Sequence, residues 1–564
     1  MKRYILLLLS IPVLCFSQVQ LNTPAVNVEF IDSTYNFNEI GFSYSTINIL
    51  TRIGWNIGGP YHSASLGAVN LADGSILFNR TWKEDTVNMG GSYNLAFNPY
   101  NDNTWSVRVS DADFDGYFLL DDSLNITLNL HDVDVFPDNH GIAKLQDGRY
   151  AYFEDTIQDM VFASDVISDS TVWPSLGHNV VIFDPTDSSK TKIFDWFSSI
   201  DSSFVIPGYL YEGDLDGTTI DWGHPNSLFE DYDGHLLLSW RHLGVCKMDV
   251  NTGDVIWWFG LPDSLGVEHG FNEPVCGGGD CFTRLQHDLY PIVGHPNQYS
   301  LFDNGDSSRN YSRALFIAYD TASNTMNILK EPQYPQSNFM GSVDVLEDGS
   351  YIVNVPSIQR LPFDRIPAWV QNGQFADSIP YYIHLLGSEI YFHDSNDQLR
   401  AKFVTDSANF VYNSKFLDFS DWPAIFCSND TLQQTVSSLD MLWLDANKDS
   451  ISSASYYLAD GQTYYLGFPF GITQGYSPKF NSASCLVTGI VNSSIVDFKA
   501  YPNPVGDMLH FSISLDLFNV VDVSGRSILS GQGSYLETAS FLPGIYFVYG
   551  EIDGFSVSFR FLKD

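Results

Sequence analysis

Residues 224–238 read HPNSLFEDYDGHLLL, and residues 245–259 read VCKMDVNTGDVIWWF. Each segment is an apolar run, a tight polar turn and a second apolar run. The runs are too short for helices and are rich in Val, Ile, Leu, Phe and Trp. The turns, Asp233-Gly234 and Asn251-Thr252-Gly253, suit hairpins, because Asp and Asn close a turn with their own side chains and Gly accepts a positive φ. Together the two segments give four consecutive antiparallel strands.

The unit recurs. HGIAKLQDGRYAY stands at 140–152, HDLYPIVGHPNQYSLF at 287–302, GSVDVLEDGSYIV at 341–353 and a looser SLGAVNLADGSILF at 65–78. VVIFDPTDSSKTKIFDW at 180–196 is the outer hairpin that follows the copy at 140. Four-stranded units repeating every few tens of residues predict a β-propeller. In that architecture residues at the start of each first strand face the central funnel, the place held by His140, His224 and His287. The fold class is therefore all-β, with a propeller over 18–404.

Beyond 404 the repeat fades. Residues 405–496 read as a small β-sandwich or an irregular last blade, and 497–564 as a C-terminal β-sandwich. At the other end, Lys2 and Arg3 precede the apolar run Ile5 to Phe16, which closes on the small Ser17. This is the pattern of a secretory signal peptide over 1–17, and no later stretch reads as a transmembrane helix. Removing the signal leaves Cys246, Cys276, Cys281, Cys427 and Cys485 in an oxidising setting. Cys276 and Cys281 flank a Gly-rich loop suited to a local disulfide, Cys427 could pair with Cys485, and Cys246 is the buried odd thiol.

The chain of 564 residues carries 27 basic and 67 acidic side chains, a formal net charge of −40. So acidic a surface repels phosphate, which argues against nucleic acid as a partner. With no CxxC pair and no His pair at ligand spacing, neither zinc nor another cofactor is expected. Asp111, Asp113, Asp115 and Asp122 have the oxygen spacing of a calcium loop, and an Asp-Gly hairpin turn explains them equally well.

The chemistry-bearing residues concentrate between 221 and 314. Asp221-Trp222-Gly223-His224-Pro225-Asn226-Ser227 opens one unit, Ser239-Trp240-Arg241-His242 ends its next strand, and Gln286-His287-Asp288 opens the following unit. Phe302-Asp303-Asn304-Gly305 then leads to Arg309 and to Ser312-Arg313-Ala314. Imidazoles beside guanidinium groups on a rigid frame suit an oxyanion, one supplying a nucleophile or proton acceptor and the other a bidentate fork. His62, His131, His178, His235, His242, His269, His295 and His510 read as surface or packing histidines.

In these elements the chain resembles the bacterial aryl-sulfate sulfotransferases from about residue 135 to 355. The D-x-x-H-x-N-S, S-x-R-H, N-T-G-x-x-x-W, Q-H-D, F-D-N-G and S-R-A motifs occur in family order. The resemblance implies a six-bladed propeller that moves a sulfuryl group from an aryl sulfate to a phenol without a nucleotide donor. Carried over by motif, His224 and His287 are its acid/base and sulfuryl-binding histidines, and Arg309 holds the sulfuryl oxygens, with Arg313 as competitor for that role. The family's sulfated histidine would fall around Asn338 to Ser342, where this sequence has none; His140, His384 and His393 are the candidate replacements. The alternative to an enzyme is a non-catalytic surface propeller that binds a phenolic, sulfated or glycan ligand.

The tail also carries a resemblance. Tyr501-Pro502-Asn503-Pro504, the Asp522 to Gly525 turn, Leu542-Pro543-Gly544-Ile545-Tyr546 and the closing basic residue look like a C-terminal sorting domain of the type IX secretion system of Bacteroidota. It implies that system's machinery as a partner, and release to the medium or the cell surface.

Overall fold

The structure, a computed structural model, describes residues 26–563 apart from several gaps, the longer ones at 50–61, 84–104, 162–171, 201–210, 213–218, 261–270, 360–385, 435–440 and 483–499. The expected signal peptide therefore lies outside the described residues. So do the side chains of Asp111, Asp113, Asp115, Asp122, Cys427 and Cys485, and His384. The chain divides into two compact units, Met1–Leu486 and Val487–Asp564.

The first unit is built almost entirely of antiparallel sheets whose hairpins are the repeated segments. In four copies the turn aspartate accepts the backbone N–H two residues on: Asp73 from Ser75, Asp147 from Arg149, Asp233 from His235 and Asp348 from Ser350, at 2.9, 3.0, 3.3 and 2.8 Å. The copy at 224 forms a clean four-stranded sheet from Pro225–Glu230, Leu236–Trp240, Gly244–Met248 and Val255–Phe259. Before it stand Ile142–Lys144, Tyr150–Val161, Val172–Asp184 and Ser189–Phe194, and after it His287–Pro291, Gln298–Asp303, Tyr311–Asp320 and Thr325–Lys330.

Polar side chains on the first and second strands stitch successive sheets together. Asn226 donates to the Gln286 carbonyl at 2.6 Å, Ser227 Oγ accepts the Leu289 N–H at 3.0 Å, and Ser300 donates to the Val343 carbonyl at 3.1 Å. Apolar contact fills the rest. Trp196, Trp222, Trp240 and Trp258 pack in one core shared by the sheets at 142 and 225, with Trp240 and Trp258 stacked 5.0 Å apart.

Gly253 shows how close the sheets approach. It sits at φ +76°, and a Cβ there would come 1.8 Å from the Ile193 carbonyl oxygen on the preceding sheet. Gly253→Ala must adopt an unfavourable backbone and push another backbone aside, so it should cost more than about 1 kcal/mol. A urea midpoint left at the wild-type value would refute this reading of the turn.

Residues 405–486 are not set apart from the chain before them. Asn409–Asp418 pairs with Ile40–Ile49, which continues into His62–Asn70 and Ile76–Lys83, so the end of the repeat region supplies an edge strand to a sheet begun near the N-terminus. Val26–Ile31 likewise adds to Leu399–Thr405. Trp443, Leu466 and Phe468 share a core with Leu66, Leu77 and Phe78. The boundary expected at 404 is thus crossed by strand pairing and by packing, although Leu444, Tyr465 and Tyr476 form a small cluster of their own.

Two cysteine expectations fall on described residues. Cys276 and Cys281 form a disulfide, and Cys246 is free and buried.

In the second unit, Ala500–Tyr501, Met508–Asp522, Ser527–Glu537, Gly544–Ile552 and Phe555–Lys563 hydrogen-bond into one five-stranded antiparallel sheet. Met508–Asp522 slips register three times along Ser527–Glu537, and the sheet carries its own core of Leu509, Phe511, Leu515, Phe518, Val520, Val548 and Phe561. Among the described residues, no helix is long and apolar enough to cross a membrane.

Candidate functional site

The spacing Asp221-x-x-His224 makes a turn in which one carboxylate catches both polar groups of the histidine. Asp221 Oδ1 accepts the His224 N–H at 2.9 Å, and Oδ2 meets Nδ1 at 2.6 Å. This holds His224 at φ +51°, a left-handed conformation that a histidine adopts only when its surroundings enforce it. The Nδ1 contact assigns that nitrogen its proton and leaves the lone pair on Nε2. Asp221 is itself anchored by parallel pairing with Val172–Asp184, opposite Leu176.

His140 repeats the arrangement at shorter spacing. Asp138 Oδ1 accepts its N–H at 2.8 Å and lies 2.7 Å from its Nδ1. The rings of His140 and His224 meet edge to face with centroids 4.7 Å apart, and His242 stacks on His224 at 6.0 Å. Both dyad histidines keep part of their rings exposed, 17% for His140 and 15% for His224.

The two are shifted in opposite directions. Burial works against a charged ring at His140, yet the charge and hydrogen bond of Asp138 outweigh it and raise its pKa above the ordinary value. At His224 burial prevails over Asp221, with the charges of His140 and Arg241 adding to it, so its pKa is lowered. Burial together with His224 and Arg241 takes His242 down to about 3. Burial and then Arg241 hold His287 well below the usual range. Arg241 is therefore the cation felt by three of the four imidazoles. Its N–H donates to the His224 carbonyl at 2.9 Å, which fixes the backbone of Arg241 beside that histidine.

His287 is more committed. Its Nδ1 meets Asn304 Oδ1 at 2.7 Å and the Leu285 carbonyl at 3.0 Å, while Nε2 accepts the Met340 N–H at 3.1 Å. The backbone of Met340 thus docks against His287 in the segment where the sulfated histidine of the resembled family would fall.

Arg309 and Arg313 lie elsewhere than expected. Arg309 Nη1 donates to Asp303 Oδ2 at 2.9 Å, its Nη2 lies 2.8 Å from Oδ1, and its Nε donates to the Tyr311 carbonyl at 3.2 Å. Arg313 Nε donates to the same Asp303 Oδ2 at 2.8 Å, and its other nitrogens go to Glu331 and to the Asp280 carbonyl. Asp303 is wholly buried. Both guanidinium groups pair with that carboxylate, where the resemblance implied substrate oxygens. His393, a candidate replacement nucleophile, stacks on Tyr351 at 4.8 Å and meets the Tyr334 hydroxyl at 3.3 Å, a packing role.

Sequence reasoning passed over Arg241 and Asp221 as site residues, though both stood in quoted motifs. It read His178 and His242 as surface or packing groups. His178 is buried, with Nδ1 2.9 Å from Asp155 Oδ1 and Nε2 3.2 Å from Asp221 Oδ1. Burial opposes its charge, but the hydrogen bonds and charges of the two aspartates push its pKa up to about 10. Ligand atoms of Asp138, Asp155 and His178 all lie within 4.8 Å of one another. No local signal announces that grouping, because it is made across strands.

No protein-family profile matches the chain, and no curated protein does. Among solved structures it is similar to the extracellular domain of BT4673 from B. thetaiotaomicron, at 11% identity over 89% of this chain and 72% of that one, with a TM-score of 0.16. It is also similar to the WD40 domain of SCAP from fission yeast, at 9% identity over 88% and 96% of the two chains, with a TM-score of 0.22. At these TM-scores neither likeness bears on what the site does.

Proposed function

We propose that this chain transfers a sulfuryl group from an aryl sulfate to a phenolic acceptor at the cluster of His140, His224, His242, His287 and Arg241. The observation that carries this reading is the Asp221–His224 dyad with Arg241 beside it. A neutral imidazole with its lone pair fixed on Nε2 is a nucleophile, and an adjacent guanidinium offsets the charge of the sulfuryl oxygens. The order of the six motifs supports the same reaction class.

His224 Nε2 attacks sulfur, the N–S bond forms as the S–O bond to the aryl group breaks, and the aryl oxide leaves with the electron pair. A phenol then attacks the sulfuryl group, the N–S bond breaks, and the phenol's proton passes to the departed aryl oxide or to solvent. In this reading Arg241 takes the role that the resemblance gave to Arg309. His287, tied to Asn304 and the Met340 amide, orients the neighbouring backbone.

Arg241→Gln tests the assignment. With 4-nitrophenyl sulfate and an added phenol, kcat should fall by about 10²–10³, the usual cost of removing one preorganised transition-state donor. An unchanged kcat would return Arg241 to a structural role. The rival reading, a non-catalytic propeller binding a phenolic, sulfated or glycan ligand, is favoured by the missing histidine around 338–342. A folded wild-type chain that releases no 4-nitrophenol with any acceptor would establish the rival.

We propose further that the stitched sheets are blades of a six-bladed propeller. The succession of first strands at 142, 225, 287, 342 and 409, each adjoining the next, supports it. Export through the signal peptide and delivery by the type IX machinery complete the reading, resting on the two terminal sequence patterns.

A further inference from the structure

We propose that Asp138, Asp155 and His178 form a binding site for a divalent transition-metal ion such as Zn2+ or Mn2+. The three ligand atoms lie within 4.8 Å of one another, and two carboxylates with one imidazole are a donor set suited to either ion. One sheet holds Asp155 and His178, and Asp138 is tied to it by its backbone. Asp155 and His178 face each other directly in adjacent antiparallel strands, and the Asp138 N–H donates to the Phe153 carbonyl, two residues before Asp155, at 2.8 Å. Such a frame is ordered before any ion arrives.

The second nitrogen of His178 is equally telling. Nδ1 points to the Asp155 side, while Nε2 lies 3.2 Å from Asp221 Oδ1. A metal-bound imidazole characteristically donates its other ring N–H to a carboxylate, which fixes the tautomer and strengthens the ligand. The setting is rich in oxygen donors, since Asp155 and Asp221 flank this one buried ring at 2.9 and 3.2 Å. Asp138 and His178 are buried, whereas the Asp155 side chain is 46% exposed and gives an ion its way in. The site adjoins His224 through Asp221, but metal binding does not depend on the transfer reaction.

The full chain, stripped with a chelator, is titrated calorimetrically with Zn2+ and with Mn2+ in excess Mg2+, which occupies weak sites on so acidic a surface. One saturable equivalent is expected. Asp155→Asn, at a half-exposed position that should not disturb folding, should weaken binding at least about tenfold. Asp187→Asn, in an exposed turn, should leave it unchanged. Addition of Co2+ should give a visible absorption band that His178→Gln loses. A wild-type chain with no saturable equivalent overturns the proposal, as does an Asp155→Asn variant that binds like wild type; a proton on His178 then supplies the balancing charge.

Discussion

His224→Asn is expected to lower acceptor-dependent release of 4-nitrophenol from 4-nitrophenyl sulfate by at least about 10²–10⁴ while the protein stays folded. The replacement removes the Nε2 lone pair and little volume. Rapid quenching of the wild type should also trap one sulfuryl group on the peptide that contains His224, and the variant should trap none. Asp221→Asn is expected to follow, for a reason the geometry supplies. An amide nitrogen facing Nδ1 would donate to it, move the ring proton to Nε2 and remove the lone pair from the reacting edge. A trapped group on His140 or His287 would move the nucleophile to that residue.

The second large effect is on stability. Asp303→Ala removes the carboxylate that Arg309 and Arg313 share, leaving the buried Arg309 guanidinium without its counter-ion and Arg313 with Glu331 alone. Breaking a buried pair from one side costs about 3–5 kcal/mol, and urea unfolding should show at least that. Arg309→Lys should lose part of the same stability because a lysine cannot make the two-point contact, while KM for the aryl sulfate stays where it was. A raised KM with unchanged unfolding would restore Arg309 to the substrate site.

These two experiments separate residues that look alike in the sequence. Arg241, Arg309 and Arg313 each stand near a histidine motif, and spacing alone ranks none of them. The ranking comes from Asp303, a wholly buried carboxylate that takes up two of the three. Once Arg309 and Arg313 satisfy it, Arg241 is the guanidinium whose charge reaches the imidazoles. The dyads were nearer the surface of the sequence. Asp221-x-x-His224 and Asp138-x-His140 are local turns, and a short acidic spacer before a histidine is a pattern that a reader can find unaided.

The cluster around His178 had no such pattern. Asp155 and His178 meet through strand register, and a shift of one residue would have sent the two side chains to opposite faces. The same holds for Asn409–Asp418. Nothing in that segment indicates that it pairs with Ile40–Ile49, so the sequence leaves a small sandwich and an irregular last blade equally open, whereas the strand completes a sheet begun near the N-terminus.

By itself the sequence determined the all-β class, the hairpins with their aspartate-capped turns and the local disulfide. All of these depend on residues within a few positions of one another, where backbone preference and side-chain reach suffice. The tertiary structure decided which arginines are spent on a carboxylate, which histidines share an edge, where the chain's end finds its partner strand and how Asp138, Asp155 and His178 converge. Each of those is a choice among chemically equivalent partners far apart in the chain, settled only when packing and hydrogen bonding are satisfied together.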